Sequence, residues 1–396
     1  MTEEKSLLSE IKVVEFTHMV MGPAAGLVLA DLGADVIKVE PVSGDKTRSL
    51  RGSGAGYFAM YNRNKRSLAI DLKSDQGKAL ALELIDDADV FIENFRPGAL
   101  DKLGFGYDAL SKRNPRLIYC SEKGFLSGPY DQRTALDEVA QMMGGLAYMT
   151  GPPGRPLRAG ASVIDVTGGM FGAIGVLAAL QQRQTTGRGS HISASLFETS
   201  VFLVGQHMAQ FAVTGTPAAP MPARISAWAV YDVFEVQGGE KVFVGVVSDI
   251  QWRKFCDAFG LTDWANDESL AANNNRVARR DDIMPVLREL FGKMSKADLM
   301  AKLKKTGLPF APINKPEDLF DDPHLNESGG LLDMVLPDGE EVALPALPIS
   351  VDFQRLGLRM PPPRIGEHSQ GILSKMGKND TEIARLYEDG IIAKPS

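Results

Sequence analysis

Short β-rich runs alternate with helical stretches along the first 125 residues, and that alternation leaves few architectures open. Residues 11–16 (IKVVEF) read as a strand. Gly22-Pro23 and an apolar helical pattern through Leu32 follow, and residues 35–40 (DVIKVE) read as a second strand. This is a βαβ unit of the length that a parallel crossover needs. Residues 77–87 have helical period, and residues 90–93 and 117–121 (LIYCS) read as further strands. Strands that alternate with helices in this way predict an α/β fold, a doubly wound sheet covered on both faces.

Residues 137–149 and 167–182 are the best helix candidates, the second after a short extended run at 161–164. Residues 187–195 read as a strand feeding a long helix, 196–213. The stretch 214–224 (TGTPAAPMPAR) has the composition of a linker at a domain boundary. Beyond it the pattern changes. Residues 230–236 and 241–247 flank Gly238-Gly239 as a hairpin, and helices are predicted at 252–259, 283–294 and 296–304, as in a smaller α+β domain. A second hairpin signal, Asp338-Gly339, separates 332–336 from 341–344, and the tail 366–390 is helical.

A length of 396 residues suits two domains. The net charge of −7 argues against a nucleic-acid partner, so an anionic ligand needs a local basic patch. Two cysteines, Cys120 and Cys256, make no disulfide framework and fit a reducing compartment. The acidic N-terminus lacks the apolar core of a signal peptide. Apolar stretches such as 19–30 fall short of the roughly 20 residues of a membrane span, so a cytoplasmic protein without membrane attachment is expected.

Several motifs are missing from the sequence. The first strand is followed by FTHMVMG and not by a GxGxxG fingerprint, and there is no GxxxxGK[ST], HExxH or GxSxG. None of the five histidines pairs at a metal-ligand spacing. No metal, nicotinamide or flavin is therefore expected as a cofactor. Positive charge is concentrated at Arg63, Lys65, Arg66 and Lys73, at Arg96 and Lys102, and at Lys123. Arg96 and Lys123 lie just after predicted strands, where an open sheet binds ligands. This cluster reads either as a polyphosphate dock or as a solvated basic face. Asp165, before a predicted helix, reads as a helix N-cap. A carboxylate there would stay ionised, and so nucleophilic, at neutral pH. His18 reads as a loop or core histidine, Gly22 and Gly168-Gly169 as close-approach positions, and Asp137 and Glu138 as charges opening a helix.

Taken together, residues 13–40 (VVEFTHMVMGPAAGLVLADLGADVIKVE), 62–73, 93–104 (ENFRPGALDKLG), 122–129 (EKGFLSGP), 162–178 and 363–368 (PRIGEH) resemble the family III CoA-transferases, nearly end to end. The resemblance implies a large Rossmann-like domain built from both chain ends, an inserted small domain and an interlocked ring-like homodimer. On this chain that plan reads as 1–200, a linker helix and Pro-rich linker at 201–224, a small domain at 225–325, and a return segment at 326–396. The substrates implied are CoA thioesters and small carboxylic acids. Asp165 matches the catalytic aspartate, which attacks an acyl-CoA to form a mixed anhydride and then an aspartyl-CoA thioester. The matching CoA contacts are His18, Met19, Ile70, Leu72, Lys73, Asn94, Phe95, Arg96, Ala99, Lys102, Leu103 and Lys123.

Oxyanion donors are expected from the backbone near Val20-Met21 and Gly168-Gly169, with Asp137 a further substrate-site candidate. The related 2-methylacyl-CoA racemases carry a histidine where this chain has Leu136, which disfavours proton transfer. A third reading, a non-catalytic CoA-binding protein, is opposed by the presence of Asp165. Val20 replaces the glutamine of formyl-CoA transferase, and the resemblance is nearer to members acting on C4–C6 dicarboxylates, with succinyl-CoA as donor. Arg51, Arg133 and Arg224 are the arginines considered for a second carboxylate.

Overall fold

The computed structural model describes residues 6–224 and 226–395. Six strands, β1 (Lys12–Phe16), β2 (Asp35–Glu40), β3 (Lys65–Ala69), β4 (Val90–Glu93), β5 (Ile118–Lys123) and β6 (His191–Ser195), form one sheet in the order β3-β2-β1-β4-β5-β6. Every neighbouring pair is parallel. The order reverses between β1 and β4, which opens a crevice at their carboxyl ends, where such sheets bind ligands. Strands buried on both faces read as continuous apolar runs, as in Val13, Val14 and Phe16 or Val90, Phe91 and Ile92.

One face of the sheet packs Phe16, Phe91 and Tyr119 against helix Asp75–Asp86 and two C-terminal helices, Ser369–Lys375 and Asp380–Glu388. The chain end is bound in by backbone, through the Ile70–Ile392 bridge and a bond from the His368 N–H to the Ser67 carbonyl. On the other face lie the first helix, Met21–Asp31, and a 24-residue helix, Val163–Thr186, sharing a core with Val36, Val90 and Ile118. This long helix is long and apolar enough to cross a membrane, a stretch the sequence reading overlooked. Here it covers the sheet, with Gly168, Gly169, Gly172, Ala173 and Val176 buried.

The structure corrects several expectations. The basic run 62–73 contains a strand, β3, and its cations point inward. Lys65 bonds Glu15 at 2.8 Å, Arg63 bonds Asp31 at 2.6 Å and Arg66 bonds Asp35 at 2.5 Å, the first two pairs fully buried. These three side chains hold β3 to the sheet and its first helix, and are not a phosphate dock. The long helix starts at Val163 and absorbs the supposed extended run, because tertiary packing overrides the β preference of Val163 and Ile164. The helix expected at 137–149 breaks at Gly144-Gly145, Gly145 being left-handed (φ 83°). The helix expected at 196–213 is two, Leu196–Leu203 and Gly205–Thr214.

The chain divides into two compact units. One runs through Pro222 and resumes at Pro323, and the other is Ala223–Asp322. The second has its own antiparallel sheet, Tyr231–Glu235, Lys241–Gly245 and Phe310–Pro312. Helices Asp249–Phe259, Arg280–Gly292 and Lys296–Thr306 close a separate core around Phe234, Trp252, Phe255 and Phe291.

Candidate active site

The turn after β1 builds one wall of the site. The His18 N–H donates to the Asn94 side chain at 3.0 Å, and the Asn94 amide donates back to the His18 carbonyl at 2.7 Å. This clamp joins β1 to β4 across the crevice. Met19 is forced into the left-handed region (φ 63°), an uncommon state for a residue with a Cβ. Gly22 is required here, because a Cβ would lie 2.8 Å from the Thr17 side chain and 3.0 Å from that of Asn94. Val20 opens the first helix with no side-chain cap, which leaves the Met21 and Gly22 N–H groups at a bare, partly positive helix end.

β4 and β5 supply the next wall. Lys123 pairs with Glu93 at 2.6 Å and donates to the Phe95 carbonyl at 2.8 Å. The Phe95 ring meets His18 edge-on. Burial lowers the His18 pKa, with Asp45 opposing and Lys38 adding to the shift, so its imidazole is neutral at pH 7.

Asp165 stands opposite, third in the long helix and therefore not its N-cap. Ser162 occupies the cap position without a side-chain bond. The capping oxygen comes from 28 residues away: Asp137 Oδ2 accepts from the Ile164 and Asp165 N–H groups at 3.1 and 3.3 Å. The other Asp137 oxygen is held by Gln141 at 2.7 Å and Arg158 at 3.1 Å. Arg158 also donates to the Ala159 and Ala161 carbonyls. Burial, then the neighbouring Asp137 charge, pushes the Asp165 pKa up to about 7, with Arg158 pulling it down. This overturns the expectation of a fully ionised carboxylate at neutral pH. The helix end is present, but desolvation outweighs it.

These residues enclose a cavity of about 280 Å³, lined among others by His18, Met21, Tyr57, Asn94, Glu122, Asp137, Arg158 and Asp165. A half-protonated carboxylate that shares a pocket with a bare helix end can act as a nucleophile, with a donor at hand for a developing oxyanion.

The description "CoA-transferase family III" matches residues 8–369. The chain belongs to this family. A succinate–glutarate CoA-transferase of Agrobacterium fabrum is 35% identical over 390 residues, 95% of this chain and 97% of the relative. A formyl-CoA:oxalate CoA-transferase of Streptomyces avermitilis is 31% identical, over 97% of this chain and 99% of its own. The crystal structure of a CAIB/BAIF family protein from Brucella suis superposes with a TM-score of 0.84 at 35% identity, covering 94% of this chain and 100% of that one.

The transferase brings His18, Met19, Val20, Met21, Asn94, Lys123, Asp137 and Asp165 to one cavity. Phe95 adjoins it through His18. Lys73, Arg96 and Lys102 are exposed beyond the carboxyl ends of β3 and β4, with Leu72, Ala99 and Leu103 half-buried there. The Ile70 side chain belongs to the core. Gly168 and Gly169 lie inside the long helix, where their N–H groups serve its i→i−4 ladder, so they are not oxyanion donors. They are small because Met21 and Ala25 of the first helix press against them.

Sequence reasoning missed Arg158 and Glu122. Nothing local marks Arg158. Glu122 does leave a trace, a charged residue inside a run that otherwise reads as a buried parallel strand.

Proposed function

We propose that this transferase moves CoA between short dicarboxylic acids through an aspartyl-CoA thioester on Asp165. The observation that carries the reading is the setting of Asp165, which is poised near neutrality and faces the uncapped first helix across the cavity. The Asp165 carboxylate attacks the thioester carbonyl and releases CoA thiolate, leaving a mixed anhydride. The thiolate then attacks the Asp165 carbonyl, giving the aspartyl-CoA thioester and the free donor acid. An acceptor carboxylate runs these steps in reverse. The uncapped start of the first helix, at Met21 in the cavity wall, is the candidate donor to each tetrahedral oxyanion, one that costs no reorganisation. Dicarboxylates such as succinate and glutarate fit the names of the relatives. They also fit Arg158, the arginine in the cavity wall, as holder of a second carboxylate. Arg133 stacks on Tyr130, and Arg51 is exposed outside this wall.

The test is trapping. Enzyme incubated with succinyl-CoA and then treated with hydroxylamine or borohydride should carry a modification at Asp165, seen by peptide mass spectrometry. Asp165→Ala should retain the fold and lose all transfer. Full activity in that variant would sink the reading.

The homodimer that the family resemblance implies is also proposed here. Phe202, Met208, Phe211 and Val213 (85% exposed) leave large apolar side chains exposed on consecutive helices, as at a surface that a partner covers. Light scattering should give twice the chain mass, and a single-chain mass at micromolar concentration would refute it.

A further inference from the structure

Two turns meet at the crevice between β1 and β4, and a largely buried ion pair holds one of them. Glu93 ends β4, 2% exposed, in register with Phe16 of β1 and Ser121 of β5. Side chains two residues apart on a strand share a face. Lys123, two residues beyond Ser121, therefore reaches the same side of the sheet as Glu93. There its ammonium pairs with Glu93 Oε1 at 2.6 Å.

The same pair grips one residue at both of its polar backbone groups. The Phe95 N–H donates to Glu93 Oε2 at 2.9 Å, and the Lys123 ammonium donates to the Phe95 carbonyl at 2.8 Å. Asn94, the residue before, repeats this arrangement across the crevice. Its amide oxygen accepts from the His18 N–H at 3.0 Å, and its nitrogen donates to the His18 carbonyl at 2.7 Å. The Phe95 ring lies edge-on to the His18 imidazole, 5.5 Å away. Next comes Met19 with φ of 63°, a conformation that persists only where its surroundings impose it. Direct contacts thus run from Glu93 and Lys123 through Asn94 and Phe95 to His18, and His18, Met19 and Asn94 line the cavity.

The family resemblance counts Lys123 among the CoA contacts. In the fold its charge is balanced by Glu93, and two of the three ammonium donors are spent inside the protein. Hydrogen bonds to ionised groups are roughly twice as strong as neutral ones, and every contact of this pair is of that kind.

We propose that Glu93 is a positioning residue for CoA, acting through a Glu93–Lys123 strut that sets the Asn94–Phe95 turn and, through Asn94, the His18–Met19 turn. The inference rests on the reading of this cavity as the CoA site. A strut formed before the ligand arrives spares binding the cost of ordering two turns.

Calorimetric titration of the full chain with CoA tests the role. Glu93→Gln keeps the shape and an acceptor for the Phe95 N–H but breaks the ion pair. It is expected to weaken CoA roughly 10- to 100-fold, as for loss of a group that orients contact residues, with the wild-type stoichiometry. Lys123→Met should do the same. The double variant should bind no more than about threefold more weakly than the weaker single variant, because the two residues act as one unit. A Lys123 that serves as a phosphate ligand would instead be freed by Glu93→Gln, and CoA would bind more tightly. Tighter or unchanged binding in Glu93→Gln overturns the assignment. So does an unchanged affinity with a lowered stoichiometry, the mark of a pair that only keeps the chain folded, or a double variant in which the two losses multiply in full. A wild-type chain that takes up no CoA would remove the reading of the cavity instead, and this proposal with it.

Discussion

At Asp165 two influences compete. Burial and Asp137 favour its acid form, while Arg158 and the helix end favour the carboxylate. On the proposed route the Asp165 anion is the nucleophile, so kcat/KM for acyl-CoA is expected to fall on the acid side with an apparent pKa near 7. Arg158→Gln removes the stabilising cation and should move this limb to higher pH. Asp137→Asn removes the repelling charge and should move it lower. A limb unmoved by either change would show that another group controls it. Stability follows the same titration. The folded pKa of about 7 lies above the ordinary value of 3.8, so folding favours the protonated form. That contribution is fully present below about pH 4 and lost as pH rises through about 7. Asp165→Asn should therefore be more stable than wild type at pH 8, by on the order of 2–4 kcal/mol. The margin should close as the pH falls toward 4, as melting curves across this range would show.

Among the elements, the site depends on how closely two helices approach. Gly169 lies so near the first helix that a Cβ would collide with the Met21 carbonyl and sit 3.0 Å from the Ala25 nitrogen. Gly169→Ala is expected to cost about 1–3 kcal/mol by overpacking. It should also lower kcat, since it moves Asp165 away from the Met21 and Gly22 N–H groups. Gly371→Ala, where a Cβ meets open space in a C-terminal helix, serves as the control and should lower neither resistance to chemical denaturation nor activity. The start of the long helix depends equally on Asp137. Asp137→Ala leaves the Ile164 and Asp165 N–H groups without their acceptor and should cost about 1–2 kcal/mol. Asp137→Asn retains an acceptor and should cost less.

For the whole molecule, two separate cores imply two separately stabilised units. Ala223–Asp322 is continuous and encloses its own sheet and aromatic centre. Expressed alone, it is expected to unfold in one cooperative transition; a chain lacking near-ultraviolet dichroism would contradict this. The larger unit requires both chain ends, because Ile372, Leu373, Ile383, Leu386 and Ile392 complete the core on one face of its sheet. Its buried ion pairs tie β3 to the sheet in the same non-local way. Lys65→Met, which strands Glu15 without its cation, should destabilise the unit by about 3–5 kcal/mol.

Local pattern sufficed for most of the strands. β2 and β4 are legible to the residue, because Val36, Ile37 and Val39 in one and Val90, Phe91 and Ile92 in the other carry the β-branched and aromatic signal of a strand despite charged neighbours. β3 was hidden by its own charges, since Lys65 and Arg66 look like surface until their carboxylates on β1 and β2 are known. Asp165 could be singled out from the motifs that surround it. Its protonation could not, because desolvation, the cap from Asp137 and the pull of Arg158 come from segments that only the fold brings together. The sequence by itself determined the alternating α/β plan and singled out Asp165 as a candidate. The tertiary structure decided which charges are buried, which helix end is left bare and where Glu122 lies. Burial and electrostatics depend on distance in space, and a chain read in order carries no measure of that distance.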